Sequence, residues 1–221
     1  FEGLLLKTKR FDIAKEVLMT FVKNIKYGLV PNGYSGFDNR PLYNSVDSSL
    51  LLFEQVQKYI NYTGEYEYVK ENLYDVLVQI IECYTNGIDV DNNNIYLDTD
   101  NLLVSGTEKT QNTWMDAKYG DYAVTPRNGK AVEVNAMWYN ALKILENLSK
   151  KFENLNNSKK YAKMAKLTKT SFNEKFYNKN KKCLYDVLGD DKIRPNQLFA
   201  LSLSYPVLDV NESLAKEVMN T

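Results

Sequence analysis

Two polar loops hold the residues able to do chemistry. The first, PNGYSGFDNRPLYNSVDSS, carries Asp38, Arg40, Tyr43, Asn44 and Asp47. The second, TWMDAKYGDYAVTPRNGKAVEVN, carries Trp114, Asp116, Lys118, Asp121, Arg127, Glu133 and Asn135. A carboxylic acid at the mouth of a helical bundle can donate a proton if poor solvation or a neighbouring carboxylate raises its pKa. Asp47 directly precedes an apolar helical run, so it reads either as such an acid or as an N-cap accepting a first-turn N–H. A helix N-terminus favours the anion, so a proton donor there needs a compensating neighbour. Trp114 beside Asp116 offers a sugar platform and a hydroxyl acceptor. Equally, Trp114 could bury against helices while Asp116 caps a turn. Arg127 and Glu133 can pair as an ordering salt bridge.

The rest of the composition narrows the chemistry. The chain has no histidine, and its two cysteines, Cys83 and Cys183, form no paired motif. Serine–histidine and cysteine–histidine catalysis are therefore excluded, and the usual zinc ligand sets are missing, so neither a metal nor another cofactor is expected. The cysteines read as small apolar fillers. Lys plus Arg and Asp plus Glu each number 28, a balance that argues against nucleic-acid binding by field alone. The lysine-rich stretch NNSKKYAKMAKLTK reads as a solvated helix face. No apolar run is long enough to cross a bilayer, and no membrane association is expected. Seventeen tyrosines lead the aromatic content, which suits sugar faces and helix packing alike.

The elements that must position these loops are helical. Phe11, Ala14, Val17, Leu18, Phe21, Val22 and Ile25 recur at helical spacing, and Gly28 and Pro31 stop the run. A second helix is expected after Ser45 or Asp47, with Leu51, Leu52, Val56 and Tyr59 inward, and a third from Glu65 through Ile81. Residues 87–104 read as a small extended excursion, a hairpin or long loop. A long helix follows from near Glu133, then one from Asn157 to about Asn178, and shorter ones from Pro195 and from Asn211. Trp138 lies among core residues of the long helix, whereas Asn140, unexpected in a helix interior, could face a cavity. Pro195 suits a first helical position and lets Asn196 reach a loop.

Seven or eight amphipathic helices in antiparallel succession predict an all-α fold built of helical hairpins. The larger loops fall on alternate connections, which places them on one face. A TPR-type solenoid lacks a visible repeat period. The opening FEGLLLKTK reads as the tail of a helix whose beginning is absent, so the chain is expected to be part of a longer protein.

Three stretches carry a resemblance. GLVPNGYSGFDNRPLYNSVDSSLLLFEQVQKY, NTWMDAKYGDYAVTPRNGKAVEVNAMWYNAL and IRPNQLFALSLSY resemble, in order, three blocks of the amylo-alpha-1,6-glucosidase domain of glycogen debranching enzymes. The resemblance spans nearly the whole chain. Where the family has an aromatic pair shortly after its acid, DSSLLLF keeps only Phe53.

The resemblance implies an (α/α)6 barrel with its site at one funnel-shaped end, of which residues 1–221 form a central portion, truncated at both ends. It implies hydrolysis of α-1,6-linked glucose stubs with inversion. It puts the catalytic acid at Asp47 and a glucose subsite at Trp114, Asp116, Arg127, Glu133, Asn135 and Asn140. Asp38, Arg40, Tyr43, Asn44 and Lys118 complete the candidate substrate-binding set from the same two loops. The general base would be a glutamate beyond Thr221, so the isolated chain is expected to be inactive. The implied partners are a glucan or branched oligosaccharide and the remaining parts of the parent chain, and the implied location is cytoplasmic. Alternatives are a noncatalytic helical carbohydrate-binding or scaffold domain, and a related inverting glucosidase of different linkage preference.

Overall fold

The structure, a computed structural model, describes residues 1–90, 92–209 and 213–220. Among these the α-helices are α1 (Phe11–Lys23), α2 (Asp47–Thr63), α3 (Tyr66–Asn72), α4 (Tyr74–Asn86), α5 (Val132–Lys151), α6 (Leu155–Lys175), α7 (Phe199–Ser202) and α8 (Ser213–Met219). A π-helical turn, Glu2–Leu6, precedes α1, and a 3-10 turn, Pro195–Leu198, leads into α7 with Pro195 at its start. The chain is mostly helical, as expected.

Helix α5 is the centre. From Val132 to Leu142 every residue is buried, the pattern of a helix packed on all sides. Trp138 is fully buried and lies parallel to the Tyr84 ring, 6.4 Å between centroids. Helix α6 lays one stripe on α5, with Tyr161, Ala165, Thr168 and Phe172 inward at helical spacing. Lys159, Lys160 and Lys166 remain on its solvated face.

The contacts fix helix directions. Asp47 and Glu133 lie in the first turns of α2 and α5. Seven residues further along each, Asn140 Nδ2 donates to Glu54 Oε2 at 3.0 Å, and beyond that Lys151 at the end of α5 lies over the ring of Tyr66, just past α2, so the two helices run parallel. Tyr74, at the start of α4, meets Ser149 near the end of α5 at 2.8 Å, while Tyr84 meets Trp138, so α4 runs the other way. Lys15 of α1 pairs at 2.7 Å with Glu65, just beyond α2, and the Tyr43 hydroxyl donates at 2.8 Å to the Asn24 carbonyl that ends α1. Helix α1 is thus antiparallel to α2. The turn over 152–154 reverses α6 on α5. The long connections 24–46, 87–131 and 176–194 consequently gather at the end where α2 and α5 begin.

Among the described residues the strands are two-residue pairs in four antiparallel hairpins. These are β1–β2 (Gly33–Tyr34, Pro41–Leu42), β3–β4 (Tyr96–Leu97, Leu103–Val104), β5–β6 (Lys118–Tyr119, Tyr122–Ala123) and β7–β8 (Tyr177–Asn178, Cys183–Leu184). The expected excursion at 87–104 is β3–β4 extended by an Ile88–Ile95 bridge. The other three hairpins lie in stretches that read as loops, because two residues are too few to show alternation.

Three helical expectations need correction. The helix expected from Glu65 to Ile81 is two helices, broken at Leu73, whose φ is −123°. Val69 and Leu77 are buried on either side, so the apolar pattern runs unbroken through the kink. The Asn157–Asn178 helix spans Leu155–Lys175 instead, entered through Asn154, whose side chain accepts from Asn157 N. The helix expected from Asn211 is α8, and its first residues lie outside those described, as does Asp91.

Gly28 ends the reversal after α1 at φ +77°. A Cβ there would stand 2.5 Å from the Cys83 Cβ, so glycine alone permits this approach to α4. Cys83 and Cys183 are unbridged, and Cys183 is buried. No described helix is long and apolar enough to cross a membrane.

Candidate active site

Asp47 is the first residue of α2, and the N-cap is Val46, so the N-cap reading of Asp47 is not what forms. The residue that serves the helix start is Ser45: its hydroxyl oxygen accepts the Ser48 N–H at 3.1 Å and donates its proton to the Asp47 carboxylate. With that proton committed, the Ser48 hydroxyl, 2.7 Å away, donates to Ser45. Asp47 is only 6% exposed. Burial holds its carboxyl above the usual carboxylate range. The Ser45 hydroxyl and the backbone N–H groups of Trp114, Asp47 and Ser48 pull in the other direction without prevailing. Poor solvation therefore opposes the helix terminus, and no neighbouring carboxylate is needed.

Several backbone bonds bring the two loops to this point. Val46 N donates to the Asn112 carbonyl at 2.8 Å, and the Tyr84 hydroxyl donates to the Val46 carbonyl at 2.8 Å. Asn93 Nδ2 donates to the Tyr43 carbonyl at 2.6 Å, while Asn112 Nδ2 and Gly106 N both donate to the Asn93 carbonyl. Val30 N, donating to Ser49 Oγ at 2.8 Å, ties the start of the first loop to α2. Asp47 and Trp114 thus share one end of the molecule, and the Trp114 backbone N–H faces the Asp47 carboxylate.

Beside them lies a buried ionic cluster. Arg127 Nε donates to Asp186 Oδ2 at 2.7 Å, and Nη2 donates to Asp186 Oδ1 at 2.9 Å and to Glu133 Oε2 at 2.6 Å. Its Nη1 donates to Glu133 Oε1 and, at 3.2 Å, to Thr113 Oγ1. Burial disfavours the Arg127 charge, but the two carboxylates outweigh it and hold the guanidinium protonated. Asp186 also accepts from Arg194 Nη1 at 2.6 Å and from Asn196 Nδ2 at 2.7 Å. Asn196 Oδ1 in turn accepts the indole N–H of Trp114 at 2.8 Å.

Several expected substrate contacts are used up inside the protein. Arg127 directs its donors at Glu133, Asp186 and Thr113, so the expected salt bridge to Glu133 forms and no donor is left for sugar. Glu133 is fully buried beneath it. Asn135 holds β4 to α5 through Leu103 N at 2.7 Å and the Leu103 and Ala131 carbonyls. Asn140 bonds Glu54 and Tyr205 N, two helical turns (about 10 Å) beyond the start of α5, away from Asp47. Tyr43 points its hydroxyl at the end of α1. These five side chains do not line the site.

Trp114, at 56% exposure with its indole N–H held by Asn196, and the exposed Asp116 and Lys118 lie on the solvent side of the second loop, with Lys118 on β5. Trp114 therefore does not bury against the helices. Asp38 and Arg40 are exposed near the β1–β2 hairpin and pair at 3.4 Å. Asn44 Oδ1 is buried without a hydrogen-bond partner. Ser45, Thr113, Asp186 and Asn196 were absent from the candidate set. Asp186 lies in a turn-rich stretch that carries no helical pattern, while Asn196 reaches a loop as its place after Pro195 suggested.

An apolar cavity lies alongside and reaches the first turn of α2 at Ser48. This groove of about 590 Å³ between the N-terminal segment, α1 and α2 is lined by Phe1, Leu5, Leu18, Phe21, Val30 and Leu51. Without a charged group it offers no acid–base chemistry, so the Asp47 end is the better candidate.

The chain is similar to the glycogen debranching enzyme of Saccharomyces cerevisiae, 26% identical over 200 residues covering 67% of this chain and 13% of that protein. The chain therefore spans a small fraction of that relative's length. Residues 1–220 match the family described as amylo-alpha-1,6-glucosidase, and the chain belongs to that family.

Proposed function

We propose that the protein carrying this chain is a glycoside hydrolase of the glycogen-debranching type, which removes α-1,6-linked glucose stubs with inversion. The observation that carries the reading is the buried Asp47 carboxyl, held above the normal carboxylate range next to the exposed Trp114. A carboxyl whose pKa is raised by burial holds its proton to higher pH than a solvated one and can donate it to the leaving glycosidic oxygen. Trp114 supplies a flat apolar face for a glucose ring, and Asp116 can accept from sugar hydroxyls.

Inversion needs a second carboxylate roughly 6.5–9.5 Å from the acid, with room for water between them. We assign that base to a segment of the full-length protein outside this chain. The helices would then form part of an (α/α)6 barrel. The parallel α2 and α5, the antiparallel α1, α4 and α6, and the loops gathered at one end support this architecture, as does the uncovered apolar groove beside α1 and α2. The substrate would be a branched glucan. A cytoplasmic location accords with two unbridged cysteines.

The test is Asp47→Asn in the full-length protein, assayed on a limit dextrin bearing α-1,6-linked glucose stubs. Turnover is expected to fall by at least about a hundredfold, the scale of general acid catalysis, with glucan binding retained. Undiminished turnover removes Asp47 from the acid role.

A further inference from the structure

We infer that Asn196 is a positioning residue that fixes the indole of Trp114 as the sugar platform. The inference rests on the proposed glucosidase reading of the Asp47 end.

Trp114 is more than half exposed, yet its ring is not free. Its one polar handle, Nε1–H, is captured at 2.8 Å by Asn196 Oδ1. Asn196 is itself buried, at 1% exposure, and its amide nitrogen donates to Asp186 Oδ1 at 2.7 Å. Asp186 is anchored by Arg127 and Arg194, and Arg127 by Glu133. An unbroken chain of hydrogen bonds, charge-assisted as far as Asn196, therefore runs from α5 to an exposed aromatic ring. A surface tryptophan without such a tether samples several rotamers, and a ligand that stacks on one of them must freeze it. Asn196 removes that freedom before the sugar arrives. An amide suits the task because one end accepts from the indole and the other donates to a carboxylate.

The same ring sits on a backbone whose N–H faces Asp47. Trp114 is thus held at two points, its N–H toward the acid and its indole toward Asn196, and the tether sets the platform relative to the acid.

The experiment is a double-mutant cycle in the full-length protein with Asn196→Leu and Trp114→Phe, measuring KM and kcat on the stub-bearing limit dextrin. Trp114→Phe keeps a flat ring, removes the N–H and leaves the Asp186 cluster intact, so it reads the tether even if Asn196→Leu folds poorly. Each single variant is expected to raise KM about tenfold, the scale of one lost hydrogen bond, with kcat within about twofold. The double variant should be no worse than the poorer single one, because both remove the same bond. A purely structural role for Asn196 through Asp186 would persist beside phenylalanine, so multiplied effects overturn the assignment. An unchanged KM for Trp114→Phe overturns it as well. Asp47→Asn then separates the two readings: lost turnover retains the acid and discards only the platform, whereas normal turnover discards the glucosidase reading with it.

Discussion

Arg127 and Asp186 lie 59 residues apart in the chain and meet at 2.7 Å in the interior, Nε to Oδ2. The bond joins the loop before α5 to the loop after β8, and Glu133 completes the cluster from the first turn of α5. Arg127→Met is expected to destabilise the protein by about 3–5 kcal/mol, because it strands two buried carboxylates. Arg127→Met combined with Glu133→Gln should recover part of that loss. Denaturant midpoints of the two variants check this, and an equally low midpoint for the double variant contradicts the pairing.

Burying the Asp47 carboxyl costs stability. Its folded pKa lies above its unfolded value of about 3.9. Between those values the folded state holds more protons, so stability falls as pH rises through the folded pKa. Asp47→Asn lacks that titration. It should match the parent in stability at the acid end and exceed it near neutral pH, while losing turnover. Thermal unfolding of both proteins across pH reads the difference.

Ser45 tunes the same group. Its hydroxyl stabilises the charged form of Asp47, so Ser45→Ala should raise the pKa further. If Asp47 is the acid, activity fails when it loses its proton, and the alkaline limb of kcat/KM should move to higher pH. Loss of the bond to Ser48 N should also lower stability by about 1 kcal/mol. A limb that moves to lower pH rules out this coupling.

Asn140 separates the resemblance from the packing. Asn140 and the Ser204 hydroxyl both donate to Glu54, so Asn140→Leu leaves a buried carboxylate short of one donor. A loss of about 1–3 kcal/mol is expected, with KM for branched glucan unchanged. A raised KM in a stably folded variant would return Asn140 to the sugar subsite.

Gly28→Ala is expected to destabilise by about 1–3 kcal/mol, since it combines a positive φ with overpacking against Cys83. Cys83→Ala should fail to rescue it, because the clash is with the Cys83 Cβ rather than the sulfur alone. Melting temperatures of the single and double variants distinguish the two sources.

Much of the helical frame was legible along the chain, because each amphipathic helix writes its buried face at local spacing. Tyr161, Ala165 and Phe172 show this on α6, as do Leu18 on α1 and Val56 on α2. The break at Leu73 was hidden because apolar residues continue on both sides. The two loops and Asp47 were equally visible, since aromatic and acidic residues concentrate where a core has no use for them.

Which of those polar residues remain free for a ligand was decided only by the tertiary fold. Arg127, Glu133, Asn135 and Asn140 look as available as Trp114 and Asp116 in the linear chain, yet they are consumed by partners up to 86 residues away. A buried donor or acceptor must find a partner, and burial is set by which loops meet, not by neighbours in sequence. The chain by itself determined where the candidate chemistry lies. Folding decided which groups it takes for its own interior and which it leaves facing outward beside Asp47.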